Sequence, residues 1–366
     1  MAEPAESLAD FGDRLNAALA SPLAPGPRAL WLALGQHGVL RGLFTAHQPF
    51  PRPDRLAELL TALDARLPVG AVLSVCVQAA TALPILRDQA GQPRLRSVAE
   101  AVARGESMLA LAATDSHGAG SDLMGMTTTA TVADHVVLSG AKQWITNACT
   151  ADHALVLARH RPQRHFTSYL WLLVPMDAPG VRATPAASVL FQDAGLGTIS
   201  FDQVVLDRDM IVGSPGRGLP IFLRHVPTER LAGGLWAAAI CRRVLALTRS
   251  ALAERPSADG SVWDLPSVRQ RFARCLQRSW QIQASCDAFR SAPPASAAVQ
   301  SMLLKATVAE CLDEVLGECT QLLGSRAFET DGVAQLRTEA AMFGIAGGAA
   351  GAMLAGIADH AEELLA

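Results

Sequence analysis

Half of the 366 residues are hydrophobic, enough to bury a large core, and 31 lysines and arginines against 34 aspartates and glutamates leave a net charge of −3 with no long run of either sign. That balance argues against an electrostatic footprint for nucleic acid or a membrane surface and towards a small or neutral partner. Seven cysteines form no C-x-x-C pair and no Cys/His cluster at metal-ligand spacing, so neither a metal site nor a disulfide framework is expected.

The acidic start MAEPAESLAD has no basic segment leading into an apolar one, so no secretory signal is visible and a cytoplasmic location is expected. From residue 5 to about 108, apolar residues recur three or four apart in ESLADFGDRLNAAL, PRALWLALGQHGVL and RLAELLTALDARL, with proline-rich breaks between them. An all-α domain over 1–108 follows. Between 109 and 218 the texture changes to short β-branched runs bounded by turn residues, as in TTTATVADHVVLSG, HALVLAR, YLWLLVP and TISFDQVVLD, which predicts a β domain. Beyond VGSPGRG the helical period returns and holds over 219–366. The Gly/Ala-rich stretch 342–358 is too short for a membrane span.

Two segments carry chemistry. In VVLSGAKQWITNA (136–148), Trp144 and Thr146 stand two residues apart, and on a regular strand they would share one face, offering a flat apolar surface and a hydroxyl to a planar ligand. In TDSHGAGSD (114–122), a glycine-rich turn with Thr114 and Ser121 can offer N–H groups and hydroxyls to a pyrophosphate or to the edge of a flavin. Taken singly, the first is more often sheet packing and the second an ordinary turn.

Together, in this order and spacing, the two blocks resemble the paired signature of the acyl-CoA dehydrogenases, roughly T-E-P-G-A-G-S-D followed by L-N-G-x-K-x-W-I-T-N. The resemblance continues through ISFDQVVLDRDMIVGSPGRGLPIF (199–222) and LLKATVAECLDEVLGECTQLLGSRAF (303–328). It implies an α+β fold of the acyl-CoA dehydrogenase type: an N-terminal α-helical domain, a middle β-barrel or sandwich domain and a C-terminal four-helix bundle. It implies FAD as cofactor, with Trp144 against the flavin ring, the Thr146 hydroxyl at N5, and Leu111, Ala113, Thr114, Gly120, Ser121, Arg255, Gln321 and Gly324 as further FAD contacts. A homodimer or homotetramer acting on an acyl thioester, carried by CoA or by a carrier protein, is the implied assembly; the electron acceptor stays open.

The family abstracts the α-proton with a glutamate, in most members within Y-E-G-T near the C-terminus. Counting from Arg337, that position is Ala346 here. A minority of members carry the glutamate in a stretch like L-x-x-E-R-L-x-x-A-G-G, and VPTERLAGG (226–234) matches it, which makes Glu229 the implied catalytic base. The plainer reading of Glu229 is a solvated acid in a helical first turn, entered from Val-Pro-Thr and favoured by the helix dipole. Glu339 and Glu329 are weaker candidates.

Several positions depart from the family pattern. The first block holds an extra residue at His117; the Phe and Gly expected after Arg255 are missing; Ser325 and Ala327 replace glycines; and Ala346, Gly347 and Gly348 replace bulkier groups. These departures resemble the family's biosynthetic offshoots, in particular the dehydrogenase-like proteins that help make hydroxymalonyl- or methoxymalonyl-carrier-protein extender units for polyketides. A general short- or branched-chain acyl-CoA dehydrogenase, an oxygen-using oxidase, and a non-catalytic flavin-binding or scaffold relative are the alternatives.

Overall fold

The structure, a computed structural model, describes residues 7–20, 26–45, 48–116, 123–291 and 296–365. The chain divides into two compact units, Met1–Ala62 with Leu67–Thr228, and Leu63–Arg66 with Glu229–Ala366.

The first unit begins with helices α1 (Leu8–Ala20), α2 (Pro27–Gln36), α3 (Val39–Gly42), α4 (Pro53–Asp64), α5 (Val69–Val77), α6 (Leu83–Asp88) and α7 (Pro93–Ala103). A π turn, Gln78–Ala82, joins α5 to α6. The resulting rod, Val69–Asp88, is apolar enough by length and composition to cross a membrane, with mean hydropathy 2.0, yet 89% of it is buried inside the protein. It is therefore a core helix, and its buried polar groups must find partners there. Gln78, in the π turn, donates to the Ser74 carbonyl at 3.2 Å and accepts the Leu109 N–H at 2.9 Å, which ties the rod to the first strand.

The strands are β1 (Leu109–Ala112), β2 (Thr129–Val132), β3 (Val136–Ile145), β4 (His153–Arg159), β5 (Tyr169–Pro175), β6 (Val181–Pro185), β7 (Gly197–Leu206) and β8 (Ile211–Val212). They form one eight-stranded mixed sheet in the order β6-β7-β3-β2-β4-β5-β8, with β1 parallel to β4. Residues Ala154 to Ala158 of β4 and Tyr169 to Val174 of β5 are buried without interruption. Burial on both faces is why these segments read as continuous apolar runs rather than alternating ones. The edge strand β6 is mostly exposed and ends in Pro185, a residue that blunts further pairing.

Helix α8 (Gly218–Glu254) follows; its first eleven residues belong to the first unit and the rest to the second. A short hairpin, β9 (Pro256–Ser257) and β10 (Gly260–Ser261), leads to α9 (Pro266–Ser291), α10 (Ala297–Leu323), α11 (Val333–Ala340), α12 (Ala350–Asp359) and α13 (Ala361–Leu365). Within the second unit α10 packs on α9, α11 and α12. Gly234 of α8 lets the backbones close up, because a Cβ there would stand 2.7 Å from the Cys286 sulfur of α9 and 3.1 Å from Leu304 of α10. The wholly buried Trp236 meets the edge of Phe343, ring centroids 5.2 Å apart. Six of the seven cysteines are buried, and Cys149 is exposed.

Two sequence expectations need correction. Helix α8 starts at Gly218, so Glu229 is not in a first turn entered at Val-Pro-Thr: Pro227 lies inside a continuous helix. Thr146 lies just past the end of β3, in a turn, so the regular-strand argument for Trp144 and Thr146 does not apply. The physical reason lies in the ladder: β3 and β7 slip register between Lys142 and Ile145, which breaks the two-residue alternation.

Candidate functional site

The first group of residues is built around the end of β3. Trp144 has φ 55, a left-handed backbone that a bulky residue adopts only under constraint, and its side chain is 58% exposed. Asn147 has φ 65. Strain of this kind costs about 1–3 kcal/mol per residue and persists only where neighbours over-determine it.

Those neighbours are identifiable. The Asn147 side chain is wholly buried; its Nδ2 donates to the carbonyls of Ser74 and Leu109, both at 3.2 Å, and its Oδ1 accepts the Ser74 hydroxyl at 2.6 Å. Its backbone N–H reaches the Ala194 carbonyl at 2.9 Å. On the other flank, Gln143 N–H donates to the Thr114 carbonyl at 3.2 Å, and Lys142 Nζ donates to the Ala113 carbonyl at 2.9 Å. The segment carrying Ala113 and Thr114 is thereby laid along the segment carrying Trp144.

Beneath this contact sits a buried ion pair, Lys142 Nζ to Asp115 Oδ1 at 2.6 Å. Asp115 also accepts the hydroxyl of Thr127 at 2.9 Å, and the N–H and hydroxyl of Thr128 at 2.9 and 2.8 Å. Burial pulls the Lys142 ammonium down to about 8 against the pull of Asp115. Burial would raise Asp115, but the Lys142 charge and the Thr128 hydrogen bonds outweigh it and hold the carboxyl at about 2. The pair is ionised at neutral pH.

Thr146 is 9% exposed, and among the described residues its hydroxyl has no hydrogen-bond partner. A strained, exposed indole and a hydroxyl two residues on that no protein group among the described residues engages are what a planar ligand with a polar edge would need. Leu111 is half-buried in β1, paired with Leu155 of β4. Gly120, Ser121 and His117 lie outside the described residues.

The second unit brings together Arg255, Gln321 and Gly324 at the C-terminal end of α10. Arg255 Nη2 donates to the Leu322 carbonyl at 3.4 Å, one of the carbonyls a helix end leaves open. Gly324 has φ 64. Gln321 accepts from Arg271 at 2.6 Å and lines a cavity of about 620 Å³ with Arg274, Arg278, Glu318 and Arg337.

Glu229 is half-buried on α8. Its carboxylate lies over Gly347, where a Cβ would meet Oε1 at 3.2 Å, and Gly347 has φ 71. Arg230 Nε donates to the Gly347 carbonyl at 3.2 Å and Nη1 to the Ser301 hydroxyl at 2.8 Å. Lys305 of α10 is buried and donates to the carbonyls of Phe343 and Ala346. Glu339 is buried on α11 and Glu329 is exposed. Among the described residues no group of three or more His, Cys, Asp and Glu side chains could hold a metal.

Sequence reasoning passed over Asp115, Lys142, Asn147, Ser74, Gln78, Lys305 and Arg230. A lysine inside a β-branched strand and another inside an apolar helix face were signals that could have been used, since buried lysines need partners.

Comparison with known proteins places the chain in a family. The family described as "Acyl-CoA dehydrogenase, middle domain" matches residues 110–204, and "Acyl-CoA dehydrogenase, C-terminal domain" matches residues 216–362. The acyl-[acyl-carrier-protein] dehydrogenase MbtN of Mycobacterium sp. (strain MCS) is 27% identical over 320 residues, 83% of this chain and 78% of its own length. Acyl-CoA dehydrogenase IpdE1 of Mycobacterium tuberculosis is 34% identical over 191 residues, 51% of this chain and 45% of its own. The FAD complex of PigA shares the fold with a TM-score of 0.84 at 18% identity, over 98% of both chains. The prolyl acyl carrier protein oxidase AnaB does so with 0.85 at 16% identity, over 96% of this chain and 97% of its own. With two successive domain matches spanning about two thirds of its residues, the chain belongs to the acyl-CoA dehydrogenase family.

Proposed function

We propose that the protein is an FAD-dependent dehydrogenase of a short acyl thioester delivered by a carrier protein. The observation that carries this reading is the pairing of a strained, exposed Trp144 with the unpartnered Thr146 hydroxyl. These residues fit an isoalloxazine ring and its polar edge, with Ala113 and Thr114 held alongside by Lys142 and Gln143. Gln321, Gly324 and Arg255 are the positions in the second unit where the family contacts FAD. Bound FAD would supply the two-electron acceptor for the β-hydride of the substrate.

The chain's own contribution is proton transfer and orientation. Glu229, as a carboxylate, takes the proton from the substrate α-carbon; the electron pair left there closes the α,β double bond as hydride departs from the β-carbon. A carboxylate is competent for this only while ionised, so the charges around Glu229 matter to rate. The buried Lys142–Asp115 pair keeps the loop and the strand in register, so the indole is presented without rearrangement.

A carrier-protein substrate is supported by MbtN, whose name states that activity, and by AnaB, which is named a prolyl acyl carrier protein oxidase. Oxygen as acceptor is accordingly the second reading. The finer assignment, a three-carbon thioester oxidised during hydroxymalonyl or methoxymalonyl extender-unit synthesis, rests on the reshaped Ala346–Gly348 segment. A cytoplasmic homo-oligomer is the setting proposed.

The test is anaerobic mixing of the purified yellow protein with a panel of acyl-CoA and acyl-carrier-protein thioesters. Flavin bleaching by carrier-bound short acyl groups and slower bleaching by the CoA forms is the expected result; colourless protein that takes up no FAD defeats the reading. Admitting air to the reduced protein separates oxidase from dehydrogenase by the reoxidation rate.

A further inference from the structure

We propose that Lys305 is a positioning residue for Glu229, acting through the turn at 343–347 and through its charge; the inference rests on Glu229 being the base. Lys305 is buried on α10, and among the described residues no carboxylate lies within ion-pair distance of it. Its ammonium instead donates to two backbone carbonyls, those of Phe343 and Ala346. The first lies within the short helical turn Ala341–Gly344, and the second is the carbonyl just before Gly347.

That turn decides where the Glu229 carboxylate can rest. Gly347 stands against Oε1 so closely that an added Cβ would come to 3.2 Å, and its φ of 71 is one that only glycine adopts freely. Arg230, the neighbour of Glu229 in sequence, holds the Gly347 carbonyl at 3.2 Å and is itself anchored on Ser301 at 2.8 Å. The glutamate, the turn and α10 are thus locked to one another by Arg230 from one side and Lys305 from the other.

A neutral amide could hold two carbonyls at lower desolvation cost than an ammonium. What the amide lacks is charge. Burial pulls Lys305 down to about 8, and Glu229 is the carboxylate that opposes this, so the two groups lie within each other's field. Arg230 is the other charged group felt by Lys305, and it works in the opposite sense. The field of Lys305 favours the ionised form of Glu229, the form that accepts a proton.

The experiment titrates Glu229 directly, by 13C NMR of carboxyl-labelled glutamate in the FAD-loaded protein, with the resonance assigned by its loss in Glu229→Gln. Lys305→Gln keeps hydrogen-bond donors and drops the charge; it is expected to raise the Glu229 midpoint by about one pH unit. The acid limb of kcat should move by the same amount, with KM unchanged, using butyryl-CoA and the butyryl thioester of a phosphopantetheinyl carrier protein as probes. Gly347→Ala, which leaves the lysine in place, is expected to lower kcat about tenfold through displacement of the carboxylate. An unmoved Glu229 midpoint in Lys305→Gln overturns the proposal while leaving the base reading intact. Full bleaching by Glu229→Gln overturns the base reading, and the proposal with it.

Discussion

Lys142 and Lys305 are both buried lysines, one in each compact unit, and both hold their proton less tightly than an exposed lysine because burial disfavours their charge. They differ in what surrounds the ammonium. Lys142 is neutralised on the spot by Asp115, which in turn is saturated by Thr127 and Thr128. Among the described residues Lys305 donates to the carbonyls of Phe343 and Ala346 and closes no ion pair, so its charge is not cancelled where it sits. A closed ion pair is a structural rivet with little field beyond itself; an ammonium held by carbonyls projects its field onto the nearest carboxylate. The same residue type therefore fastens backbone in the first unit and tunes a side chain in the second.

Four substitutions or titrations would break or sharpen this contrast. The largest effect is expected for Glu229→Gln, which should slow flavin reduction by about a hundredfold to ten-thousandfold while bound FAD stays at wild-type occupancy, both read from the flavin absorption bands. Next comes Lys142→Met: stranding Asp115 in the core should cost about 3–5 kcal/mol in urea unfolding. Combining it with Asp115→Asn should recover a large part of that loss, and failure to recover would mean that the lysine does more than close the pair.

Asn147→Ala should cost about 1–3 kcal/mol, because the Ser74 hydroxyl loses its acceptor and the Leu109 carbonyl a donor. It should also release the backbone strain at Trp144, seen as a change in tryptophan fluorescence and weaker FAD retention. The smallest effect is a pH window. Asp115 is held at about 2 in the fold against an ordinary 3.8, so the unfolded chain takes up this proton first as the pH falls. The stability it contributes is present above about pH 4 and lost between about 4 and 2, on the order of 2 kcal/mol in all. Urea midpoints measured from pH 6 to pH 2 should show this loss in the wild type and lack it in Asp115→Asn.

Much of the fold was legible because periodicity reports burial on a local scale. Strands run from Leu109 to Val212 and the long helix resumes at Gly218, where the texture of the chain changes. HALVLAR and YLWLLVP read as strands by length and β-branching even though they do not alternate, and burial on both faces explains why. Trp144 and Thr146 could be picked out by motif, but not by regular strand geometry, because Thr146 lies in the turn past β3. The register slip before Ile145 lies in the pairing with β7, some fifty residues away in sequence, so no local pattern encodes it. Likewise VPTERLAGG looks like a helix start because proline suits a first turn; the helix instead runs on through Pro227 from Gly218.

By itself, the order of amino acids determined which segments are helix or strand, which residues could meet a flavin, and that the usual C-terminal glutamate is absent at Ala346. Only the tertiary structure decided how the backbone bends at Trp144, which lysine is neutralised and which is not, and that Gly347 leaves room for the Glu229 carboxylate. The reason is physical: propensity and periodicity act over a few residues, whereas strain, desolvation and charge pairing depend on groups brought together from distant parts of the chain.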